Sequence, residues 1–353
     1  MRFGFIPAAA STVLAAWLGA GPVTAATLVV ANKSDATADL VDLTTGLSVA
    51  KLPTGKGPHE VAVSPDGRLA VVSDYGPRGE DGSTLTVIDV AAAKVLRTIG
   101  LGRHRRPHGM AFLSQGELAV TTEGTAHLLV VDVNAGKVVR EIETGQQVSH
   151  MVAVTPDGRR AFVANIGSGN VTAVDLAAGT KLRDIPTGEG AEGIALSPGG
   201  KELWVGNRAA DTLSVIDPET LDVVATVPCP GFPIRVAFTP DGARVLVSAA
   251  RSGEVVVFDA AARKELLRKK LDLSAVAEAA SRLFGTQFGE SPVPVGLVVA
   301  PDGKTAWVAA TQADAVVAVD PATLDVKGLL RAGHEPDGMG YSAVPAGAGD
   351  RSR

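Results

Sequence analysis

Short apolar runs recur along the chain, each four to six residues long and each framed by Gly, Pro, Asp or Asn. They include Leu28–Asn32, Leu69–Asp74, Leu118–Thr122, Ala161–Asn165, Leu203–Asn207, Val245–Ser248 and Ala306–Ala309. Runs of this length and character predict strands. Most are preceded by one phrase, a Pro-Asp-Gly turn, as in Ser64-Pro65-Asp66-Gly67, Thr155-Pro156-Asp157-Gly158, Thr239-Pro240-Asp241-Gly242 and Ala300-Pro301-Asp302-Gly303. Ser197-Pro198-Gly199-Gly200 is a variant and Ser114-Gln115-Gly116 a worn copy. Pro pre-sets the first turn angle and Gly accepts positive φ, so each phrase predicts a hairpin turn. A further strand follows each run and ends in an aspartate: Asp42, Asp89, Asp132, Asp175, Asp217, Asp259 and Asp320. These aspartates precede turn residues, and a side-chain oxygen that accepts from the following amides explains them as turn formers.

Successive aspartates are spaced by 47, 43, 43, 42, 42 and 61 residues. Seven copies of one unit of about 42 residues, with four short strands each, predict an all-β, seven-bladed β-propeller. The two ends complement each other. Leu28 to Leu43 lacks an inner strand, and Asp337–Ala343 resembles the inner strand His59–Ser64. One blade is therefore expected to be closed by N- and C-terminal strands, which hides the sheet edges of a linear array. Two insertions break the period. One lies near Pro77–Gly82. The other adds 19 residues between Leu267 and Pro294, where Leu273, Val276, Ala277, Ala280, Leu283 and Phe284 have helical spacing and predict a short amphipathic helix. Insertions in repeat proteins collect on the binding face.

Composition agrees with this picture. Forty Gly and 21 Pro supply many turns. A formal charge of -5 excludes a strongly basic nucleic-acid binder. Arg2, the apolar stretch from Ala8 to Gly21 and the small residues Val23-Thr24-Ala25-Ala26 predict a signal peptide over residues 1–26, cleaved after Ala25 or Ala26. No later run is long and apolar enough to span a membrane. The expectation is a periplasmic or secreted monomer with a propeller over residues 27–344 and a flexible tail over 345–353. Cys229 is the only cysteine, so no internal disulfide forms, and zinc-finger and iron–sulfur sites lack ligands. It occupies a slot that holds Thr54, Thr144 and Thr187 in other copies, which predicts a packed thiol.

The strand-plus-Asn signature of Phe162-Val-Ala-Asn165 and Trp204-Val-Gly-Asn207, with the phrase Gly55-Lys-Gly-Pro-His59 leading to Ser64-Pro-Asp-Gly67, resembles the YVTN family of β-propeller repeats. The resemblance runs from Thr27 to about Ala343. It implies the propeller fold. For function it implies only a range, because that family and its relatives include binding proteins, cell-surface proteins, haem d1-carrying domains, lactonases and lyases.

Candidate chemistry lies where each repeat enters its inner strand. The column reads His59, His108, His150, Glu192, Ile234, Val295 and Asp337, so three of the six histidines fall on consecutive blades. Arg235 follows Ile234. Converging imidazoles suit a divalent transition metal, with His59, His108 and His150 as ligands, or a haem iron, or general acid–base work. Glu192, Arg235 and Asp337 complete the expected ligand-binding rim. Arg103, His104, Arg105 and Arg106 form a possible clamp for a carboxylate or phosphate, and His127 and His334 lie at strand starts without a motif. No nucleophile elbow, P-loop, EF-hand loop or Cys-x-x-Cys-His motif is present. The expected function is binding of a small-molecule ligand, a metal or a periplasmic protein partner at the channel mouth. The alternatives are a metal-assisted hydrolase or lyase of the lactonase type and a haem d1-type redox accessory on the same face.

Overall fold

The structure is a computed structural model and describes residues 25–271, 273, 288–289 and 291–347. The predicted signal peptide before Ala25, most of the predicted amphipathic helix and the tail beyond Gly347 lie outside the described residues.

Seven four-stranded antiparallel sheets make a ring, as the repeat predicts. Blade 1 is built from Thr27–Asn32, Thr37–Asp42 and Leu47–Pro53, and its innermost strand is Pro336–Ser342 from the far end of the chain. Thr27 pairs with Ser342 and Val30 with Met339. Thr27 Oγ1 donates to Val344 O at 2.8 Å and accepts from the Ala346 amide, so packing continues past the last strand. Blades 2 to 7 follow in order, with inner strands Pro58–Val63, Pro107–Phe112, Ser149–Val154, Ala191–Leu196, Pro233–Phe238 and Pro294–Val299.

The second and third strands of each blade are buried on both faces, which is why their sequences are continuously apolar. In blade 1, Leu28 and Val30 face blade 7, where they meet Trp307 and Ala309. Val29 and Ala31 face blade 2, where they meet Val61 and Val72. The same division repeats between every pair of neighbours, giving seven inter-blade cores. Cys229 is buried in the core between blades 5 and 6, and burial pushes its thiol up to about 12, so it is an inert packing residue as expected. Each of the seven predicted turn aspartates accepts a hydrogen bond from a following amide, for example Thr44 N–H to Asp42 Oδ1 at 2.7 Å.

The rim of the disc carries exposed aliphatic side chains that burial does not explain. Val49, Leu96, Val139, Leu182, Val224 and Leu266 occupy one position of the outermost strand in six blades. At that position the register with the third strand slips by one residue in all seven blades, with Lys327 in the seventh. A bulge twists an edge strand and interrupts its row of free backbone groups, which blocks edge-to-edge pairing.

Candidate functional site at the channel mouth

Two backbone features aim side chains into the channel. Each inner strand is entered through a residue with positive φ: Gly57, Arg106, Val148, Gly190, Phe232, Val293 and Glu335, at φ from 52° to 76°. Five of these are not glycine, so the conformation is held against its intrinsic cost by the surrounding ring. Next comes a bulge, at which two residues of the inner strand face one residue of the second strand. His59, His108, His150, Glu192, Ile234, Val295 and Asp337 all sit on these bulges, as the second residue of each inner strand. A bulge breaks the alternation of the strand and re-aims its side chain.

The residue after each of these is Gly109, Gly193, Gly296 or Gly338 in blades 3, 5, 7 and 1. A Cβ there would stand 2.5, 2.7, 1.9 and 2.4 Å from the nearest atom, a backbone carbonyl oxygen of the next inner strand. Only Gly permits that approach, and it draws the inner strands together. At the same position blades 2 and 6 carry Glu60 and Arg235, whose side chains form an ion pair between inner strands on opposite sides of the ring. Both are buried. Burial raises the Glu60 carboxyl, although Arg235 opposes the shift.

The structure brings the sequence-predicted residues together. The ring centroids of His59 and His108 are 5.2 Å apart and those of His108 and His150 are 3.6 Å apart. His150 Nδ1 donates to Glu123 Oε1 at 2.5 Å, and its Nε2 stands 3.3 Å from Glu192 Oε1. Burial opposes charge on His150, but Glu123 and Glu192 outweigh it and raise its pKa. His108 lies beside it and is pushed well down by burial and then by the His150 charge. His59 is likewise lowered, by burial and then by Lys33, so it is neutral near pH 7. Its Nδ1 bonds the Gly57 carbonyl at 2.9 Å. A carbonyl only accepts, so Nδ1 holds the proton and Nε2 keeps its lone pair.

Four residues of the mouth were not anticipated: Lys33, Tyr75, Glu123 and Arg208. Lys33 pairs with Asp337. Burial raises the Asp337 carboxyl, and Lys33, His59 and Arg235 together bring it below its usual range. Tyr75 donates to Glu123 Oε2 at 2.5 Å, stacks on His59 at 4.1 Å and accepts from Arg106, whose guanidinium lies over the ring at 4.4 Å. Arg208 Nη1 donates to Glu192 Oε2 at 2.5 Å. A continuous chain therefore runs Tyr75–Glu123–His150–Glu192–Arg208 across blades 2 to 5. The missed four share a signal visible in the sequence, since each directly follows the last residue of a second strand: Asn32, Asp74, Thr122 and Asn207.

The remaining candidates separate. Of the basic cluster only Arg106 reaches the mouth. Arg103 pairs with Glu141, and Arg105 donates to the carbonyls of Gly102 and His104. His104 and His127 pair with each other at 4.9 Å and bond Thr125, so His127 does not join the three mouth histidines. His334 is exposed and bonds Asp35 at 2.7 Å.

Above His59 and Tyr75 opens a cavity of about 790 Å³ between blades 1 and 2. Lys33, Lys56, Arg78 and Arg106 line it, together with Asp81 and Glu335. The first insertion supplies one wall with Pro77, Arg78, Gly79 and Asp81.

Among the described residues no helix is long and apolar enough to cross a membrane. No curated protein matches the chain. A hydrazine synthase chain from Kuenenia stuttgartiensis has a similar structure, with a TM-score of 0.65 at 20% identity over 79% of this chain and 88% of that one. That likeness concerns the fold alone. The family model of the cytochrome D1 heme domain matches residues 114–237, a stretch that contains Glu123, His150, Glu192 and Arg235 but not His59 or His108. The chain is a seven-bladed β-propeller, related over that stretch to cytochrome d1 domains.

Proposed function

We propose that this propeller binds an acidic small molecule in the cavity over His59, and that a haem of the d1 type is the ligand its residues suit. The observation that carries the reading is the neutral His59 at the floor of a 790 Å³ cavity with four basic side chains on its walls. The family match over residues 114–237 supports it.

The residues present fit the group. His59 Nε2 offers a lone pair of the kind haem iron takes, and the Gly57 carbonyl fixes the tautomer from the other nitrogen. Lys33, Lys56, Arg78 and Arg106 offer donors to carboxylates. Tyr75 packs on the face of His59 and holds its ring in place. A bound haem would supply redox chemistry at its iron. The chain's own part is to orient the imidazole, neutralise the acid groups and keep His150, whose pKa Glu123 and Glu192 raise, linked to Tyr75 through Glu123.

Absorbance titration with extracted haem d1 and with iron protoporphyrin IX tests the reading. The parent protein should bind one equivalent with a shifted Soret band, and His59→Ala should lose the shift and weaken binding about tenfold or more. No spectral change in the parent, or the same change in His59→Ala, would overturn it.

A further inference from the structure

We propose that His108, Glu123 and His150 form a second site, for a single divalent transition-metal ion, beside the cavity and distinct from it. One ligand atom from each residue lies within 4.8 Å of the other two. Donors on one ion with bonds of about 2.0–2.1 Å stand about 3–4 Å apart, so the set needs only a small contraction. Two imidazoles and a carboxylate suit zinc, copper or nickel.

An independent observation points to the same place. His108 Nδ1 is buried and has no hydrogen-bond partner. Buried polar atoms in folded proteins are almost always satisfied, so an orphan nitrogen on a member of the cluster marks a missing partner.

The surroundings are arranged as for a ligand set. Glu192 stands beside His150 Nε2 and is held there by Arg208, leaving Nδ1 to face Glu123. A carboxylate behind one imidazole nitrogen orients the other toward a metal. Tyr75 holds the second oxygen of Glu123, which would position Oε1 for an ion that takes the place of the proton on His150 Nδ1, the proton leaving to solvent. His59 is not in the set. It is not among the three residues whose ligand atoms lie together, and it lines the cavity. The site needs no haem, so it stands or falls separately from the reading above.

Calorimetric titration of the full, haem-free chain with Zn²⁺ and with Cu²⁺ tests it. The parent should bind one equivalent of each. Glu123→Gln, which keeps size and polarity, and His108→Ala should each weaken binding about tenfold or more. His334→Ala should leave it unchanged. The Cu²⁺ electron paramagnetic resonance spectrum should show two imidazole nitrogens in the parent and one in His108→Ala. Circular dichroism identifies any variant that fails to fold, and Glu123→Gln then carries the test. Absence of stoichiometric binding in the parent overturns the proposal. So does equal affinity in parent and Glu123→Gln, or loss of binding in His59→Ala with Glu123→Gln unaffected.

Discussion

Asp74 ends the second strand of blade 2 at the position where Asn32, Asn165 and Asn207 end those of blades 1, 4 and 5. The asparagines both accept and donate. Asn32 accepts from the Gly333 amide at 3.0 Å and donates to Thr37 and Asp39. Asp74 accepts from the Gly55 amide, Thr84 and Thr86, yet burial still raises its pKa to about 6. A carboxyl whose pKa rises from 3.8 to about 6 on folding costs stability while it is charged in the folded state. Asp74→Asn should therefore stabilise the protein by about 2–3 kcal/mol at pH 8. The gain should shrink as pH falls through 6, because folded Asp74 then takes up a proton, and vanish below about pH 4. Urea unfolding of both proteins across pH measures this; a less stable Asn variant at pH 8 would refute it. The left-handed residues before the inner strands are the other expense at this scale. Val148 and Val293 hold φ of 58° and 52°, which β-branched residues resist, and both stand directly before the segments that line the mouth.

The inner strand is the element that makes the site, and glycine sets how close its neighbours come. Gly296→Ala would place a methyl group 1.9 Å from the Asp337 carbonyl, whereas Gly100→Ala meets nothing within 4 Å. The first change should cost about 2 kcal/mol or more and the second under about 0.5 kcal/mol, read from urea midpoints. Equal midpoints would show that the inner strands are not in contact there. The same element explains what was legible in the sequence. Strand number, blade number and the shared blade follow from the spacing of the turn phrases and aspartates, which is information along the chain. The column of His59, His108, His150, Glu192 and Asp337 was legible for the same reason, since equal phase means equal height in the ring. Their direction was not, because it depends on a bulge, and a bulge is a property of two paired strands. Lys33, Tyr75, Glu123 and Arg208 were missed because four different residue types at one phase leave no common letter to align. Glu60 lay beside a noted histidine, but its bond to Arg235 joins blades 2 and 6, a pairing visible only once the ring is closed.

The whole molecule is held by one clasp. Removing the chain beyond Arg331 strips the innermost strand from blade 1 and takes away Asp337, the partner of Lys33. It also removes Met339 and Tyr341 from the core between blades 7 and 1. The truncated protein should show no cooperative thermal transition, and a melt like that of the parent would refute the clasp. The clasp also gives the molecule an order in time. Thr27 and Val344 meet across 317 residues, so a chain made from its N-terminus carries an open blade until every other blade exists. Lys33 then waits for Asp337, and the wall of the cavity that holds Lys33, Ser34 and Glu335 has no fixed shape before that strand docks. If the cavity binds the proposed ligand, a partly synthesised or clipped copy is blind to it, and binding itself certifies that the ring was finished.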